Sequence, residues 1–498
     1  MNLTMLSDMA VDGFADRIVI GSQRNGITAR KFEEMSIAGA AVIRDSGADA
    51  LIYLAINGPA FPVAMFAAAR AGVPLVPLNF RLGEAQLDRL LSNHSRAIAI
   101  GSGPSAHNAL QRNGLRYYDV DEWMSKTRMN HDFDREVTEA GAPAVIIYTS
   151  GTTSAPKGVL LRHENLTSYV LGAVEFASAE PSEAALVSVP PYHIAAVANV
   201  ISNLFAGRRT LVLEQFTPER WLETARSEGV TNALVVPTML SRIVEADIAP
   251  DLKVVPTLRN LAYGGAPMPL TVIERALRMW PDVGFVNAYG LTETSSTIAV
   301  LGPDEHRAAL ATDDEAARAR LASAGKVVPG IELEIRRDDG SLCPEGVPGR
   351  ICVRGEQVSA EYAGIGRAVD DRGFFDTRDS GYLDAEGYLF IGGRVDDTII
   401  RGAENIAPAE IEEVLYGHPS VLDVAVVGVP DEEWGQRIEA AIVLRPGAPP
   451  DEDAIREFVR KSLRSSKTPE RIFFVDELPR TETGKLVRRD VLKQLARR

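Results

Sequence analysis

Apolar residues in the first three hundred positions fall into short runs separated by longer amphipathic segments. The runs ALIYLAI (50–56) and AVIIYT (144–149) predict buried strands. The segment PAFPVAMFAAARAG (59–72) predicts a helix that ends at Gly72. Strands that are apolar on both faces belong to parallel sheets covered by helices, so this alternation predicts an α/β fold with mostly parallel sheets.

The pattern changes after about residue 325. Short strand-like runs joined by Gly, Pro and Asp predict a β-rich subdomain, with a hairpin turn at residues 385–387. A helix is predicted to begin near Pro408 and to end at Gly417, within a small α+β unit at the C-terminus. We therefore predict a large N-terminal domain over residues 1–394 and a small C-terminal domain over residues 395–498.

Composition limits the function classes. The 498 residues are 45% hydrophobic, enough for more than one core. With 53 basic and 68 acidic residues the net charge is −15, which argues against a broad nucleic-acid surface. Cys343 and Cys352 are too few for a disulfide framework and predict reduced thiols in a cytoplasmic protein. Neither a signal peptide nor a membrane span is predicted.

The first candidate for chemistry is the polar loop after the run 144–149. It carries small and hydroxyl residues up to Lys157, and Leu166, Val170 and Val174 then follow at helical spacing. A strand, a Gly/Ser/Thr loop and a helix N-terminus together can hold phosphate. The loop is not a Walker A motif, because Pro156 and Gly158 occupy positions that the motif assigns to Gly and Ser/Thr. A polar surface loop is the alternative interpretation.

Five segments in order carry a resemblance to a known family. They are TSGTTSAPKG (149–158), YGGAPM (263–268), NAYGLTET (287–294), residues 374–415 and LPRTETGKLVRRDVL (478–492). Together the chain resembles the adenylate-forming superfamily, in its acyl-CoA synthetase branch. This resemblance implies an ATP-dependent ligase that converts a carboxylic acid into an acyl-adenylate and then into a thioester, with ATP, Mg²⁺ and coenzyme A.

The resemblance also implies the phosphate and metal contacts. The phosphate-binding loop would consist of Thr149, Ser150, Gly151, Thr152, Thr153 and Lys157. Thr292 would contact the α-phosphate. Thr152 and Glu293 would help to hold Mg²⁺, which prefers carboxylate and phosphate oxygens.

Further nucleotide contacts are implied in the same way. Gly264, Gly265, Ala266 and Asn287 would line the nucleotide site, with Tyr289 stacked on the adenine, Asp379 on the ribose hydroxyls and Arg394 on ribose or phosphate. A half-buried core tyrosine is the alternative for Tyr289.

Lys485 would place its ammonium between the attacking carboxylate and the α-phosphate. In the family the C-terminal domain is mobile, and its rotation about the position of Asp396 removes this lysine and admits the thiol. Gly402 and Ala403 would then border the pantetheine tunnel. Taken alone, a lysine near a basic C-terminus is usually a surface residue.

The residues of the candidate acid pocket limit which carboxylic acid can be the substrate. His193 matches the family's acid-pocket segment, where relatives that activate amino acids usually carry an aspartate. A structural histidine is the alternative. The segments 194–207, 233–240 and 294–302 are apolar or small and contain no arginine, which predicts a hydrophobic monocarboxylic acid, whether fatty, aryl or polycyclic. Ala288 stands where glycine is usual and would narrow the channel.

Four departures from the family pattern keep alternatives open. Ser154 and Arg378 replace glycines, and Arg401 and Ala403 alter the turn beside the pantetheine tunnel. One alternative is therefore an enzyme that loads a carrier protein or performs only one half-reaction; another is a non-catalytic binding protein. The resemblance also implies a possible homodimer, because members of the family often dimerise, but no residue in this sequence indicates it.

Overall fold

The computed structural model describes residues 1–129, 138–149, 156–401, 404–431, 434–463, 465–481 and 484–496. Its first part contains α1 (Thr4–Phe14), β1 (Ile18–Ile20), β2 (Ile27–Thr28), α2 (Ala29–Ser46), β3 (Leu51–Leu54), α3 (Ala60–Ala71), β4 (Leu75–Pro77), α4 (Glu84–Ser92), β5 (Ile98–Gly101), α5 (Gly103–Arg112), β6 (Arg116–Asp119), α6 (Val120–Thr127) and β7 (Pro143–Thr149).

The second part continues the alternation of strands and helices. It contains β8 (Lys157–Arg162), α7 (His163–Ala173), β9 (Ala184–Val187), α8 (Ile194–Ala206), β10 (Arg209–Val212), α9 (Pro218–Ser227), β11 (Asn232–Val235), α10 (Pro237–Glu245), α11 (Pro250–Lys253), β12 (Asn260–Gly264), α12 (Leu270–Met279), β13 (Gly284–Leu291), β14 (Ser296–Leu301), α13 (Pro303–Ala311), α14 (Glu315–Ala319) and β15 (Lys326–Val327).

The third part is richer in strands. It contains β16 (Glu332–Arg336), β17 (Gly349–Arg354), β18 (Glu361–Tyr362), β19 (Gly366–Arg367), β20 (Phe375–Leu383), β21 (Leu389–Arg394), β22 (Ile399–Arg401), β23 (Glu404–Ile406), α15 (Pro408–Tyr416), β24 (Val421–Asp431), β25 (Gly435–Leu444), α16 (Glu452–Ser462), β26 (Arg471–Phe474) and α17 (Arg488–Leu495).

Two large sheets organise the N-terminal part. One has nine strands in the order β15-β14-β13-β12-β11-β9-β10-β1-β2, and the other has eight in the order β19-β18-β8-β7-β4-β3-β5-β6. Their central strands pair in parallel, whereas the edge pairs such as β13–β14 and β7–β8 are antiparallel. The predicted α/β class is confirmed.

The smaller sheets also match the sequence pattern. Strands β16, β17, β20 and β21 form the predicted β-rich subdomain, and β20 turns into β21 at the predicted hairpin. In the C-terminal part, β24, β25 and β26 form a three-stranded sheet, against which α15 packs. Helix α15 begins at Pro408, and Gly417 follows its last residue, as the sequence indicates.

One expectation about local structure is wrong. The sequence predicts a helix directly after the polar loop, but β8 comes first and pairs with β7 from Thr149↔Lys157 to Pro143↔Arg162. The reason is the apolar stretch after Lys157, because its residues pair with β7 and Val159 and Leu161 are fully buried in the sheet. The loop therefore falls between two antiparallel strands in the chain, and α7 begins only after β8, at His163.

The C-terminal part contacts the N-terminal part beside the ends of the nine-stranded sheet. The Glu413 carboxylate accepts a hydrogen bond from the Leu270 backbone N–H at 3.2 Å, at the start of α12. Arg445 forms an ion pair with Glu245 of α10, also at 3.2 Å. The 3-10 turn Val395–Asp397 connects β21 to β22. The domain boundary predicted at this turn stays a prediction.

Candidate active site

A large cleft separates the carboxyl ends of the central strands from the C-terminal part. Its volume is about 3700 Å³. A pocket for one small molecule usually has about 300–1,000 Å³, so this cleft has room for a nucleotide and a second substrate together. All the predicted site residues that the structure describes line it, including Lys157, Tyr289, Glu293, Asp379 and Lys485.

The predicted phosphate loop is described only at its two ends. Thr149 is the last residue of β7 and Lys157 the first of β8, and the two pair across the hairpin. The Thr149 hydroxyl donates to the Lys157 carbonyl oxygen at 3.5 Å. Ser150, Gly151, Thr152, Thr153 and Ser154 lie outside the described residues, as do Gly402 and Ala403. Their assigned roles stay predictions.

Beside this hairpin lie a cation, a phenol and a carboxylate in a row. The Lys157 ammonium lies 5.5 Å from the centre of the Tyr362 ring. The Tyr362 hydroxyl donates to Oε1 of Glu293 at 3.0 Å. Burial, followed by the charge and hydrogen bond of Glu293, raises the pKa of Tyr362, so the phenol remains a donor that orients Glu293.

Sequence reasoning missed Tyr362. It lies in EYAGIG, which carries no recognisable motif, and β18 brings it to the site by pairing with β8 at Val159. Glu293 occupies the 3-10 turn Thr292–Thr294, followed by Ser295 with a φ of 55°. A serine in this left-handed conformation is uncommon, and the turn aims Glu293 into the cleft.

The two glycines of YGGAPM are required for different structural reasons. A Cβ at Gly264 would lie 2.2 Å from the Ala288 carbonyl oxygen, so the close approach of β12 and β13 excludes any side chain there. Gly265 has a φ of +83°, and a Cβ at this position would have no described atom within 4 Å, so the glycine leaves open space beside the half-exposed Ala266. Asn287 donates from Nδ2 to the Ser323 carbonyl oxygen at 2.8 Å, which anchors β13.

Asp379 is held by two partners at once. The Tyr289 hydroxyl donates to its Oδ2 at 2.6 Å, and Nε of Arg394 lies 3.0 Å from its Oδ1. Arg394 also donates to the Thr377 carbonyl oxygen at 2.9 Å. Burial raises the pKa of Asp379, while Arg394 and the Tyr289 hydrogen bond favour its ionised form. Each carboxylate oxygen keeps a lone pair for a further donor.

Lys485 reaches this group from the C-terminal part. It lines the cleft with part of its side chain open to solvent, and desolvation within the cleft, followed by the charge of Arg394, lowers the pKa of its ammonium, whereas Asp379, Asp397 and Glu293 act in the opposite direction. The preceding Gly484 has a φ of +75°, and a Cβ there would lie 2.1 Å from Oγ1 of Thr238. The loop that carries Lys485 therefore sits directly on the segment after β11, a contact that the sequence did not predict.

His193 lies at the start of α8 in the same region. Burial, followed by the charge of Lys485, lowers the pKa of His193 to about 4. Its imidazole is therefore neutral near pH 7. The structure places His193, Lys485 and Glu293 around one cleft.

The two arginines at altered family positions differ in their surroundings. Arg378 has a φ of 60°, so the position keeps the left-handed backbone that the sequence argument associated with glycine. Its side chain is exposed and lies 3.9 Å from Asp396. Arg401 instead pairs with Glu470, donates to the Ser466 carbonyl oxygen at 2.8 Å and lies over the Trp434 ring at 5.3 Å.

The described residues contain no cluster of three or more His, Cys, Asp or Glu side chains able to hold a metal by themselves. Mg²⁺ in nucleotide sites is usually bound by one or two carboxylates together with the phosphates of the substrate. Glu293 fits that requirement, because it lines the cleft and the described hydrogen bond of Tyr362 occupies only one of its oxygens.

Comparison with known proteins identifies the family. The model of the AMP-binding enzyme family matches residues 8–363, and the model of its C-terminal domain matches residues 410–485. The chain belongs to the AMP-binding enzyme family. This result confirms the resemblance and the class of enzyme that the five motifs predict.

Relatives of this AMP-binding enzyme include ligases with different acceptors. It is 31% identical to fatty acid–[acyl-carrier-protein] ligase ScoC of Streptomyces coeruleorubidus, over 89% of this chain and 86% of the relative. It is 33% identical to a feruloyl-CoA synthase of Amycolatopsis sp., over 95% of both chains.

Solved structures of the family share the fold. The o-succinylbenzoate CoA synthetase (MenE) of Bacillus subtilis, in complex with its acyl-adenylate intermediate OSB-AMP, superposes with a TM-score of 0.84. The two chains are 27% identical, and the match covers 98% of this AMP-binding enzyme and 97% of MenE.

Proposed function

We propose that this enzyme activates a mainly apolar monocarboxylic acid with ATP and transfers the acyl group to the thiol of coenzyme A. The observation that carries the proposal is the position of Lys485. Its ammonium comes from the C-terminal part and lines the cleft, where the charges of Arg394, Asp379 and Glu293 act on it. A cation in the cleft, with carboxylates and a second cation around it, suits a reaction between two anions.

The reaction has two balanced steps. In the first, a carboxylate oxygen attacks the α-phosphorus of ATP, the bond from that phosphorus to the bridging oxygen breaks, and pyrophosphate leaves. In the second, the thiol sulfur attacks the acyl carbon, the bond from carbon to the AMP oxygen breaks, AMP leaves, and the thiol proton passes to solvent. The first step needs charge stabilisation most, because an anion attacks a polyanion.

Residues at one end of the cleft suit the nucleotide. The open space at Gly265 and Ala266 accommodates the adenine, and Asp379, fixed by Tyr289 and Arg394, accepts from the ribose hydroxyls. Lys157 faces the β- and γ-phosphates. Glu293, held by Tyr362, binds Mg²⁺. The metal supplies neutralisation of phosphate charge.

The reacting carboxylate lies between Lys485 and His193 in this proposal. A neutral imidazole can donate one hydrogen bond to the carboxylate without neutralising it. Its pKa of about 4 supports this protonation state. The Lys485 ammonium binds the attacking oxygen and the α-phosphate together, and Thr292 contacts the same phosphate.

Coenzyme A is the favoured acceptor. Several relatives of 30% identity or more are named as CoA ligases, whereas ScoC is named as an acyl-carrier-protein ligase. Carrier loading is therefore the second candidate. Either acceptor requires Lys485 to leave the site after adenylation, and we infer that the turn around Asp396 is the hinge and that the domains divide there.

The proposal also includes the location of the protein and its oligomeric state. None of the helices in the described part of the chain is long and apolar enough to cross a membrane. The unpaired state of Cys343 and Cys352 supports a cytoplasmic location. A homodimer remains a hypothesis.

The test is a reaction containing the protein, ATP, Mg²⁺, coenzyme A and a pool of fatty, aryl and polycyclic acids, followed by mass spectrometry. An ATP-dependent acyl-CoA supports the proposal. Acyl-AMP that persists in the presence of coenzyme A, but disappears when a holo carrier protein is added, favours the second candidate. A lack of acyl-AMP and acyl-CoA with every acid contradicts both.

A further inference from the structure

The backbone around Lys485 is held at three polar atoms. In the peptide unit that joins Gly484 to Lys485, the carbonyl oxygen accepts from Nη1 of Arg480 at 2.7 Å, and the N–H donates to Oγ1 of Thr481 at 3.0 Å. The carbonyl oxygen of Lys485 accepts from the Thr481 backbone N–H at 2.7 Å. Because a peptide unit is planar, these three contacts together set the direction in which the Lys485 side chain leaves the backbone.

Two of the three contacts come from the same hairpin as Lys485. In this hairpin Arg480 and Leu486 are cross-strand partners, so the Thr481 contacts would move with Lys485 if the hairpin shifted as a unit. The contact from Arg480 is different, because its guanidinium also binds Asp423 of β24. Its Nε lies 3.0 Å from Oδ2 and its Nη2 lies 2.6 Å from Oδ1. One side chain therefore connects the peptide unit before Lys485 to the sheet of the C-terminal part.

The carboxylate that binds Arg480 is itself held in place. The hydroxyl of Tyr416, the last residue of α15, donates to Oδ1 of Asp423 at 2.6 Å. Burial, followed by the charge of Asp423, raises the pKa of Tyr416, so the phenol stays protonated and keeps donating. A guanidinium that pairs with both oxygens of a carboxylate has a fixed orientation. The position of Arg480 is therefore determined by two elements, α15 and β24.

Apolar contacts attach the hairpin to the C-terminal part independently of Arg480. Leu478 is buried and Leu486 is partly buried, and both pack in the apolar cluster formed by side chains of β24, β25 and α17. Replacement of Arg480 should therefore leave the hairpin attached while the peptide unit before Lys485 loses its connection to β24.

We propose that Arg480 is a positioning residue for adenylation, which holds the Lys485 ammonium, through the Gly484 carbonyl oxygen, where the carboxylate meets the α-phosphate. This inference rests on the proposed function and adds a residue to the same site. Arg480 acts on Lys485 alone, so it has no part in thioester formation, for which Lys485 has left the site. Arg480 also borders the cleft, so a direct contact with a substrate is the alternative that the test has to separate.

The experiment measures the two half-reactions in Arg480→Met. Adenylation is followed as single-turnover formation of acyl-AMP, with the acid of the fatty, aryl and polycyclic pool that reacts best in the wild type. Thioester formation is followed from the synthetic acyl-AMP of that acid and coenzyme A. We expect the adenylation rate to fall by about 10–100-fold, since a misplacement of about 1 Å can cost about 100-fold. The KM for ATP and the rate of thioester formation should not change, because Lys485 acts in the transition state of the first step only.

A double variant separates positioning from the alternatives. In the Lys485→Ala background, Arg480→Met should change the adenylation rate by less than about twofold, because the group that it positions is gone. A direct contact between Arg480 and a substrate would lower the rate by the same factor in both backgrounds. So would a general loss of folded protein.

Two further variants complete the test. Arg460→Met, at an exposed position on α16 of the same C-terminal part, is the matched control and should leave both half-reactions unchanged. Asp423→Asn keeps Arg480 but removes the charged acceptor that orients it, and it supplies a second test should Arg480→Met fold poorly. It should show the same pattern as Arg480→Met with a smaller loss.

The outcomes are distinct. A wild-type adenylation rate in folded Arg480→Met, an equal factor in both backgrounds, or an equal loss in thioester formation overturns the inference and leaves the proposed function standing. Failure of both Arg480→Met and Asp423→Asn to fold also overturns it, because these contacts would then be required for the fold. A wild-type enzyme that forms no acyl-AMP with any acid of the pool overturns the proposed function and the inference with it.

Discussion

The nucleotide end of the cleft and the half-buried row Leu234, Ala262 and Val286 of the nine-stranded sheet are built in opposite ways. At the nucleotide end, polar and charged side chains from two sheets hold one another, as Asp379 of β20 is held by Tyr289 of β13 and Arg394 of β21. Along the row, small and apolar side chains such as Ala262 leave space beside the cleft. Function at the nucleotide end depends on the position of charged groups. Along the row it depends on the volume of the side chains and on the register of the strands that carry them. Mutations in the two regions should therefore give different kinds of effect.

The largest effect is expected at Lys485. Lys485→Ala removes the ammonium from the cleft, and we expect the adenylation rate to fall by about 10²–10³-fold, as for other single groups that stabilise transition-state charge. The rate of thioester formation from synthetic acyl-AMP should change little, because Lys485 does not act in that step. Stopped-flow measurement of the two half-reactions separates them.

Lys493→Ala is the matched control for Lys485→Ala. Lys493 lies in α17 of the same C-terminal part, is exposed and pairs with Asp490 at 2.8 Å. It should leave both half-reactions unchanged. An equal loss in the two half-reactions of Lys485→Ala would indicate a structural role for this lysine.

Asp379→Asn is expected to raise the KM for ATP by about 10–100-fold, because the amide cannot pair with Arg394 and offers the ribose only one acceptor oxygen. The KM for the acid should stay within about threefold, since the row Leu234, Ala262 and Val286 does not depend on this carboxylate. Steady-state kinetics with each substrate varied in turn gives both values.

The control for Asp379→Asn is Asp376→Asn on the same strand. Asp376 is half-exposed and pairs with Arg350 at 3.1 Å. It should change neither KM appreciably. If the acid KM rises as much as the ATP KM in Asp379→Asn, the two regions are not separable.

His193 should give the stability of the protein a pH dependence. Its pKa is about 4 in the folded protein and close to the ordinary value of about 6.5 in the unfolded chain. Between these pH values the unfolded chain binds a proton that the folded protein does not, so stability falls as pH falls from 6.5 to 4, by about 2–3 kcal/mol.

His193→Asn removes this contribution. Urea unfolding of wild type and variant at several pH values is the measurement, and the difference between their free energies of unfolding should change over this window. His163 has a pKa lowered in the same way and is present in both proteins, so its effect cancels. A constant difference from pH 7 to pH 4 would contradict the prediction.

The smallest effect concerns the backbone at Arg378. Arg378→Gly relieves a φ of 60° in a residue with a Cβ and should raise the free energy of unfolding by up to about 1 kcal/mol. The Asp396 pair that is lost is exposed and contributes less than this. Arg401→Gly, in contrast, should destabilise, because that side chain has three partners. Thermal unfolding of both variants compares them.

The nucleotide end could be predicted from sequence because its residues occur in short motifs. Lys485, Asp379 and Glu293 lie in three separate segments, and the motif around each of them assigns it to the same site. Tyr362 was missed because its position depends on the pairing of β18 with β8, more than two hundred residues away in sequence. A contact between residues so far apart in the sequence produces no motif in the sequence around either of them.

The alignment of residues across the central strands could not be predicted for a related reason. Asn232 and Asn260 are ordinary residues at the starts of two strands, and only the register of β11 against β12 makes them neighbours. The strand β8 was also missed, because a short apolar run before a helix does not reveal whether it extends that helix or pairs with β7. The alternation of apolar segments was enough to predict the fold class. Which side chains become neighbours across the sheet depends on the register of its strands, which the sequence does not reveal.

The row Leu234, Ala262 and Val286 has a consequence for how such enzymes diversify. Its side chains line the cleft and lie apart from the network around Asp379. Exchanging one of them alters the shape available to the acid while the nucleotide contacts are untouched. Duplicated genes for this fold can thus drift toward new acids by single substitutions, and a protein engineer can screen libraries of these three positions without rebuilding the reaction.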